Sequence, residues 1–241
     1  MSLWPRLDAL FLRRRAPLPA DVAARVEAWR CLPAPDAHER LGAARWVVVD
    51  VESSGLDARR DRLISIGAVA VSAGRIALAD SLEVVLRQAR VSDARNILVH
   101  GIGGTAQREG MPAVEALSRF LAYAGQSRIV AYHAPFDERM IGRALRRHLG
   151  LVWKPRILDL AYLLPALFPA LAPRCRSLDD WFARCGISVY GRHQALADAY
   201  ATAQLLLLAL GTAEARGAAD CDALFRLQAA QRGLDRMQAA R

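Results

Sequence analysis

Three short segments carry residues whose types and spacing could do acid and proton chemistry. Asp50-Val51-Glu52 closes the β-branched run Arg45 to Asp50 and runs into Ser53-Ser54-Gly55-Leu56. Side chains alternate along a strand, so Asp50 and Glu52 share a face. Two such carboxylates repel unless a cation lies between them. For a D-x-E taken alone the ordinary reading is better: one acid caps the Ser-Ser-Gly turn and the other is solvated. In Tyr132-His133-Ala134-Pro135-Phe136-Asp137 a strand ends and a helix begins. Asp137 falls in the first turn, where an acidic residue complements the helix dipole. Nothing local makes it a ligand, but it stands at the end of a strand, as Asp50 and Glu52 do. His193 and Asp198 stand at the entry to a long apolar helix, five residues or about one and a half turns apart. One metal would not readily take both, but one residue on a metal with the other near it handling protons suits that spacing. A lone histidine before a helix is more often a cap or a surface residue.

The elements that must position these residues read as follows. Leu63 to Val71 and Ile76 to Leu86 are strand-like and joined by Ser72-Ala73-Gly74, a hairpin. With the first strand they make three antiparallel strands in succession. Helical and strand patterns then alternate: a helix over Pro112 to Ala124, a strand over Ile129 to Tyr132 and a helix over Phe136 to Leu149. Helices follow over Leu158 to Phe168, Leu178 to Cys185, Leu196 to Leu210 and Asp220 to Ala240. The fold class is α/β, a mixed sheet of three antiparallel and then parallel strands flanked by helices. Residues 1–44 form an N-terminal helical extension, with an amphipathic segment at Leu7 to Leu12, proline breaks, and a helix around Val22 to Arg30. Residues 45–212 form the principal domain and 213–241 a C-terminal helix.

Composition bounds the partners. A formal charge of +9 and a pI near 10.2 fit a polyanion, because neutralising phosphates releases counterions. Arginine supplies nearly all of this charge, Lys154 being the single lysine, and its planar fork suits phosphate. Arg- and Ala-rich usage also follows from GC-rich codons, so charge alone favours nucleic acid only modestly. Arg143, Arg146 and Arg147 read first as a solvated helix face, and Trp46 and Trp181 as core. Four scattered cysteines, with no C-x-x-C pair, speak against a disulfide framework or cysteine zinc site and fit a reducing cytoplasm. Neither a secretory signal nor a membrane span is expected, since Leu205 to Leu210 is too short an apolar run to cross a bilayer.

Taken in order, D-x-E, F-D and H-x-x-x-x-D resemble the DEDD exonuclease superfamily. More narrowly they resemble its DEDDh branch, which includes DnaQ-like epsilon-type proofreading subunits and RNase T. Leu63-Ile64-Ser65-Ile66-Gly67-Ala68-Val69 is similar to the family's second strand, and His100-Gly101-Ile102 to its H-G-I segment. Asp159-Leu160 and Ser177-Leu178-Asp179 sit where the family has comparable stretches. The chain departs at Ser53-Ser54-Gly55, where Thr-Thr-Gly is common, at Ala134 for an asparagine, and at Ser65 for a glutamate. The resemblance implies an RNase H-like fold and two divalent ions, Mg²⁺ or Mn²⁺, held by Asp50, Glu52, Asp137 and Asp198. A pair roughly 3.5–4 Å apart stabilises the attacking and leaving oxygens of a phosphodiester together. It also implies His193 as general base and Ser54, Gly55, Leu56 and Ile102 as contacts to the 3′-terminal nucleotide. His100 either reaches the substrate or makes a loop hydrogen bond. The expected activity is 3′–5′ exonuclease action releasing nucleoside 5′-monophosphates, with single-stranded DNA favoured. RNA trimming and a non-catalytic nucleic-acid or polymerase-binding module are the competing readings. A structural metal protein is disfavoured, since closed structural sites favour cysteine and histidine. A proofreading role would need a DNA polymerase subunit in trans.

Overall fold

The computed structural model describes residues 17–239, so the segment Leu7 to Leu12 and the three arginines after it lie outside the described residues. Helix α1 (Ala20–Arg30) comes first. The β-branched run becomes β1 (Trp46–Ser53), which carries on past Asp50 and holds both carboxylates within the strand. Strands β2 (Leu63–Ser72) and β3 (Arg75–Val85) form the expected hairpin. Its two turn residues, Ala73 and Gly74, both have positive φ, as a tight hairpin turn of this hand requires.

Two short helices, α2 (Ala94–His100) and α3 (Gly104–Glu109), follow. Neither is long enough to display an apolar stripe. The cap chemistry of α2 is nonetheless written in the chain: Asp93 accepts the Asn96 N–H at 2.8 Å, and Gly101 ends the helix at φ 70°. Then come α4 (Ala113–Ala124), β4 (Arg128–Ala131) and α5 (Pro135–Leu149), with Pro135 at the helix start. Leu158, expected to open a helix, instead lies in β5 (Ile157–Asp159), paired in parallel with Val130. Three residues are too few to show strand alternation, and helix α6 (Leu160–Leu167) begins at once after them. Helices α7 (Leu178–Cys185), α8 (Ala195–Ala215) and α9 (Cys221–Ala239) complete the chain.

The sheet order is β3-β2-β1-β4-β5; β1 is antiparallel to β2 and parallel to β4. Strand alternation divides the apolar residues between two cores. Val47, Val49 and Val51 pack with Val22, Phe120 and Ile141 from α1, α4 and α5. Trp46 and Val48 pack with Leu163, Trp181, Leu206 and Leu224 from α6, α7, α8 and α9. Both tryptophans are therefore core residues. Each fully buried apolar side chain contributes on the order of 1.5–3 kcal/mol. Asp50 and Glu52 continue the Trp46–Val48 register, so the strand turns from apolar to acidic on the face that α8 covers.

Helix α8 is longer than its apolar pattern suggested, and by length and composition it would suffice to cross a bilayer. It is packed instead against β1 and β2, with Leu205, Leu206 and Ala209 buried in the second core. The residues on either side of the sheet domain join the same cores. Val22 and Val26 of α1 enter the first, and Cys221 and Leu224 of α9 enter the second.

One buried cation ties the segment between α1 and β1 to the sheet. Arg128 of β4 is 1% exposed and donates from Nη1 to Glu39 at 2.7 Å and from Nη2 to the Asp36 carbonyl. Its guanidinium also lies 5.6 Å from the Trp46 ring centroid. Removing one partner of a buried ion pair strands the other, which here keeps some contact with water. Arg128→Met should therefore cost about 2–4 kcal/mol in urea unfolding. A loss below about 0.5 kcal/mol, the size of an ordinary surface change, would show that the segment is held by other contacts.

Candidate active site

Asp50 and Glu52 of β1 and Asp198 in the first turn of α8 bring carboxylate oxygens within 4.8 Å of one another. This closeness depends on a glycine. Gly67 pairs opposite Asp50 in the β1–β2 register and faces the start of α8. A Cβ there would lie 2.1 Å from the Ala195 carbonyl carbon and 2.2 Å from the Leu196 nitrogen. No side chain fits, so backbone rests on backbone and Asp198 is delivered to the strand carboxylates. Ser65, opposite Glu52, places a fully buried hydroxyl on the same face, and its Oγ has no hydrogen-bond partner among the described residues.

Asp137 arrives from the other side. It is buried in the first turn of α5, directly after β4, which is the parallel neighbour of β1. Its carboxylate accepts its own backbone N–H and that of Val51, and its charge acts on Asp50. Asp159 at the end of β5 secures this corner. It caps α6 through Ala161 N–H at 3.0 Å and accepts His133 N–H at 2.9 Å. His133 and His193 both have positive φ, 57° and 62°, uncommon for non-glycine residues and concentrated at functional sites. The left-handed backbone of His193 directs its N–H to Asp198 Oδ2 at 2.9 Å, while its side chain stays exposed.

Arg192 was not foreseen as a member of this cluster. It donates from Nε to Asp179 Oδ1 at 2.7 Å and from Nη1 to Asp198 Oδ1, with its guanidinium 5.7 Å from the Phe182 ring centroid. It therefore clamps α7 to the start of α8. Its place immediately before His193 was the available signal, and so was Asp179 in the Ser177-Leu178-Asp179 stretch.

The expected nucleotide contacts lie in two segments, one directly after β1 and one at the end of α2. Ser54 Oγ donates to Asp61 at 2.9 Å and accepts Arg62 N–H at 2.9 Å, which folds the loop back on itself. A Cβ on Gly55 would come 2.5 Å from the Asp61 carboxylate, which would have to shift from its bonds to Ser54 and Asp57. Leu56 is 93% exposed, an apolar side chain held in water just beyond the acids. His100 is buried, and its Nδ1 accepts Ile102 N–H at 2.9 Å while Nε2 lies 3.3 Å from Ser92 Oγ. Of its two open readings, these contacts describe the loop hydrogen bond. Gln107 completes the network by donating to Ser92 Oγ and to the Ile102 carbonyl. Ile102 itself is half-buried.

Electrostatically the site is short of positive charge. Burial first, then the charges of Asp137, Asp198 and Glu52, push Asp50 well above the usual carboxylate range, and Arg192 offsets this only in part. Glu52 is pushed up to about 8, by burial and then by Asp198. Burial also raises Asp137 to about 8, with Asp159 adding to it. A cation among hard oxygen donors removes that penalty, so Asp50, Glu52 and Asp198 could bind a metal ion.

The RNase T family, described as exonuclease, matches residues 47–206. The chain belongs to this exonuclease family. It is 32% identical over 167 residues to a PolC-type DNA polymerase III from Thermotoga maritima, spanning 69% of this chain and 12% of that protein. It is 30% identical over 184 residues to a DNA polymerase III epsilon-like protein from Rhodobacter capsulatus, spanning 75% of this chain and 26% of that one. The chain thus spans a minor part of the length of these relatives. Among solved structures, Escherichia coli exonuclease I in complex with a dT13 oligonucleotide superposes with a TM-score of 0.61 at 18% identity. That match covers 71% of this chain and 42% of the other. Exonuclease X in complex with 5′-overhanging duplex DNA gives 0.56 at 20%, covering 74% and 99%. These likenesses share the mixed sheet flanked by helices.

The raised carboxylates set a pH dependence. In chelator the unfolded chain ionises these acids near pH 4–5, while the folded chain holds protons up to about pH 8 on Glu52 and Asp137. The folded state binds more protons in this window, so stability is present below it and falls as pH rises through it. The melting temperature in EDTA should drop between pH 5 and pH 8. The drop should be shallower in Glu52→Gln, which cannot ionise. A melting temperature that is flat or rises with pH in the wild type would contradict this.

Proposed function

We propose that this chain is a metal-dependent 3′–5′ exonuclease that removes nucleoside 5′-monophosphates from the 3′ end of single-stranded DNA. The observation that carries it is the convergence of Asp50, Glu52 and Asp198 within 4.8 Å, with Asp137 buried in the first turn of α5, after the strand that neighbours β1. Asp50, Glu52, Asp137 and Asp198 would hold two divalent ions, Mg²⁺ or Mn²⁺. Bound there, such ions neutralise the developing charge on the phosphoryl oxygens and make water acidic enough to attack at neutral pH.

The chain's own residues perform the rest. His193 is exposed, with its backbone N–H on Asp198, and would accept a proton from the attacking water. Ser54 and Gly55 hold the loop that borders the acids, and Leu56 and Ile102 offer apolar surface to the terminal sugar and base. Arg192 steadies Asp198 from the side of α7. Relatives that are polymerases or polymerase subunits support DNA as the substrate and a polymerase partner in trans. Four free cysteines accord with a reducing, cytoplasmic setting.

The test uses 5′-labelled DNA and RNA oligonucleotides of equal sequence, with Mg²⁺ or Mn²⁺ and with chelator. The proposal predicts a ladder shortening from the 3′ end, faster on DNA and abolished by chelator. Asp198→Ala should abolish it as well, and His193→Ala should slow it by about 10²–10⁴-fold. Cleavage that persists in chelator or in Asp198→Ala would overturn the assignment. Faster cleavage of RNA would transfer the same chemistry to RNA trimming.

A further inference from the structure

A second charged feature opens beside the carboxylates. It is a cleft of about 370 Å³ whose walls carry Arg59, Arg60, Arg62, Arg87, Arg143 and Arg147 and, among the described residues, no acidic side chain. Several arginines elsewhere pair with acids, such as Arg25 with Glu115, Arg45 with Asp80, Arg128 with Glu39, Arg156 with Asp222 and Arg192 with Asp198. In the cleft only Arg60 faces a carboxylate among the described residues, Asp57 at 3.7 Å, and Arg60 is almost fully exposed. Arg87 donates to the Gly110 carbonyl, and among the described residues Arg143 reaches only the Met140 sulfur. Arg62 Nε is buried with no partner among the described residues. Like charges gathered without counter-charge are costly unless an anion is to be bound there.

Each wall of the cleft belongs to a segment that also carries a residue of the site. On one side, Arg62 exchanges backbone hydrogen bonds with Ser54, donating N–H to Ser54 Oγ and accepting Ser54 N–H. On the other, Met140, Arg143, Ala144, Arg147 and His148 form one stripe of α5 at i, i+3, i+4, i+7 and i+8. Asp137 is the residue one turn before Met140 on that stripe. At about 1.5 Å per residue, Arg143 and Arg147 lie roughly 9 and 15 Å along the helix from Asp137. A stacked strand rises roughly 3.4 Å per nucleotide, so this path covers about four nucleotides. Leu63, Leu86 and Met140 lie beneath the cleft as buried core residues, so its accessible walls are chiefly the arginines.

We propose that this cleft holds the single-stranded segment immediately upstream of the 3′-terminal nucleotide, with the arginines on its phosphates. The inference rests on the nucleic-acid exonuclease reading and adds to it a grip for the strand. A single strand is the fitting occupant because a positively charged groove about four nucleotides long tracks one flexible backbone.

The decisive experiment compares the wild-type chain with the double variants Arg143→Gln/Arg147→Gln and Arg143→Lys/Arg147→Lys. Binding of 5′-labelled single-stranded DNA of two, five and ten nucleotides is followed by fluorescence anisotropy in chelator, so cleavage is not needed for the readout. Hydrolysis of the same DNAs with Mn²⁺ is followed separately. The proposal predicts that the Gln variant binds the five- and ten-mers at least tenfold more weakly. Its plot of log affinity against log salt should be shallower by about 1.4, two phosphate contacts at about 0.7 each. Hydrolysis of the dinucleotide should be unchanged, the Lys variant should retain most of the affinity, and both variants should melt with the wild type. Unchanged affinity for the ten-mer would overturn the proposal, as would an equal loss on the dinucleotide. A loss confined to the duplex part of a 5′-overhang substrate would overturn the single-strand assignment. If the wild type binds the ten-mer but cuts none of these DNAs, the activity reading fails while the binding comparison still decides the cleft.

Discussion

The first turn of α8 rests on β2 with no side chain between them, because Gly67 leaves the space that the Ala195–Leu196 backbone fills. Much of the molecule is arranged around that contact. It fixes the height of Asp198 above the sheet, and so its distance from Asp50 and Glu52. It aligns α8 over the Trp46–Val48 face, where the helix supplies Leu205, Leu206 and Ala209 to one of the two cores. It also sets the left-handed turn at His193, whose N–H is spent on Asp198. A methyl group at position 67 would strike backbone rather than a flexible side chain, so the helix would have to lift and the carboxylates would part.

Bringing those acids together creates an electrostatic debt that the fold meets only in part. Arg192 supplies one positive charge from the α7 side, held in place by Asp179 and lying over Phe182. Burial and mutual repulsion still leave Asp50, Glu52 and Asp137 raised above ordinary carboxylates. Hydrolysis of a phosphodiester needs positive charge at that place, and a folded site that wants cations is how a protein stores the requirement. The arginine cleft along α5 would express the same logic with the opposite sign: cations mostly without carboxylate partners among the described residues, roughly 9–15 Å along the helix from Asp137, where a phosphate chain would lie.

The reading of the sequence went furthest where pattern and chemistry are both local. The run Trp46 to Val49, the Ala73-Gly74 hairpin and the apolar stripes of α4 and α5 are long or distinctive enough to declare themselves. The acids at Asp50, Glu52, Asp137 and Asp198 were legible as an ordered set, each being ambiguous alone. What stayed hidden depends on contacts distant in sequence or on elements too short to show a period. Strand β5 has three residues and joins a helix directly, so Leu158 was read into that helix. Helices α2 and α3 have too few turns for a stripe. Arg192 resembles any exposed cation until α7 brings Asp179 beside it. Arg143 and Arg147 read as a solvated face, and the fold leaves them half-buried and exposed, lining a cleft with Arg59 to Arg62 that their spacing alone does not reveal.

The central claim is that the converging carboxylates are a cation site, and calorimetric titration of Mn²⁺ into chelator-stripped protein tests it without recourse to catalysis. The account predicts saturable binding by the wild type at neutral pH, accompanied by proton release as Glu52 and Asp137 give up the protons they hold up to about pH 8. It predicts affinity at least tenfold weaker in Asp198→Asn, a folded variant of nearly the same shape. Absence of binding in the wild type, or equal affinity in Asp198→Asn, would show that the cluster is not built for a metal.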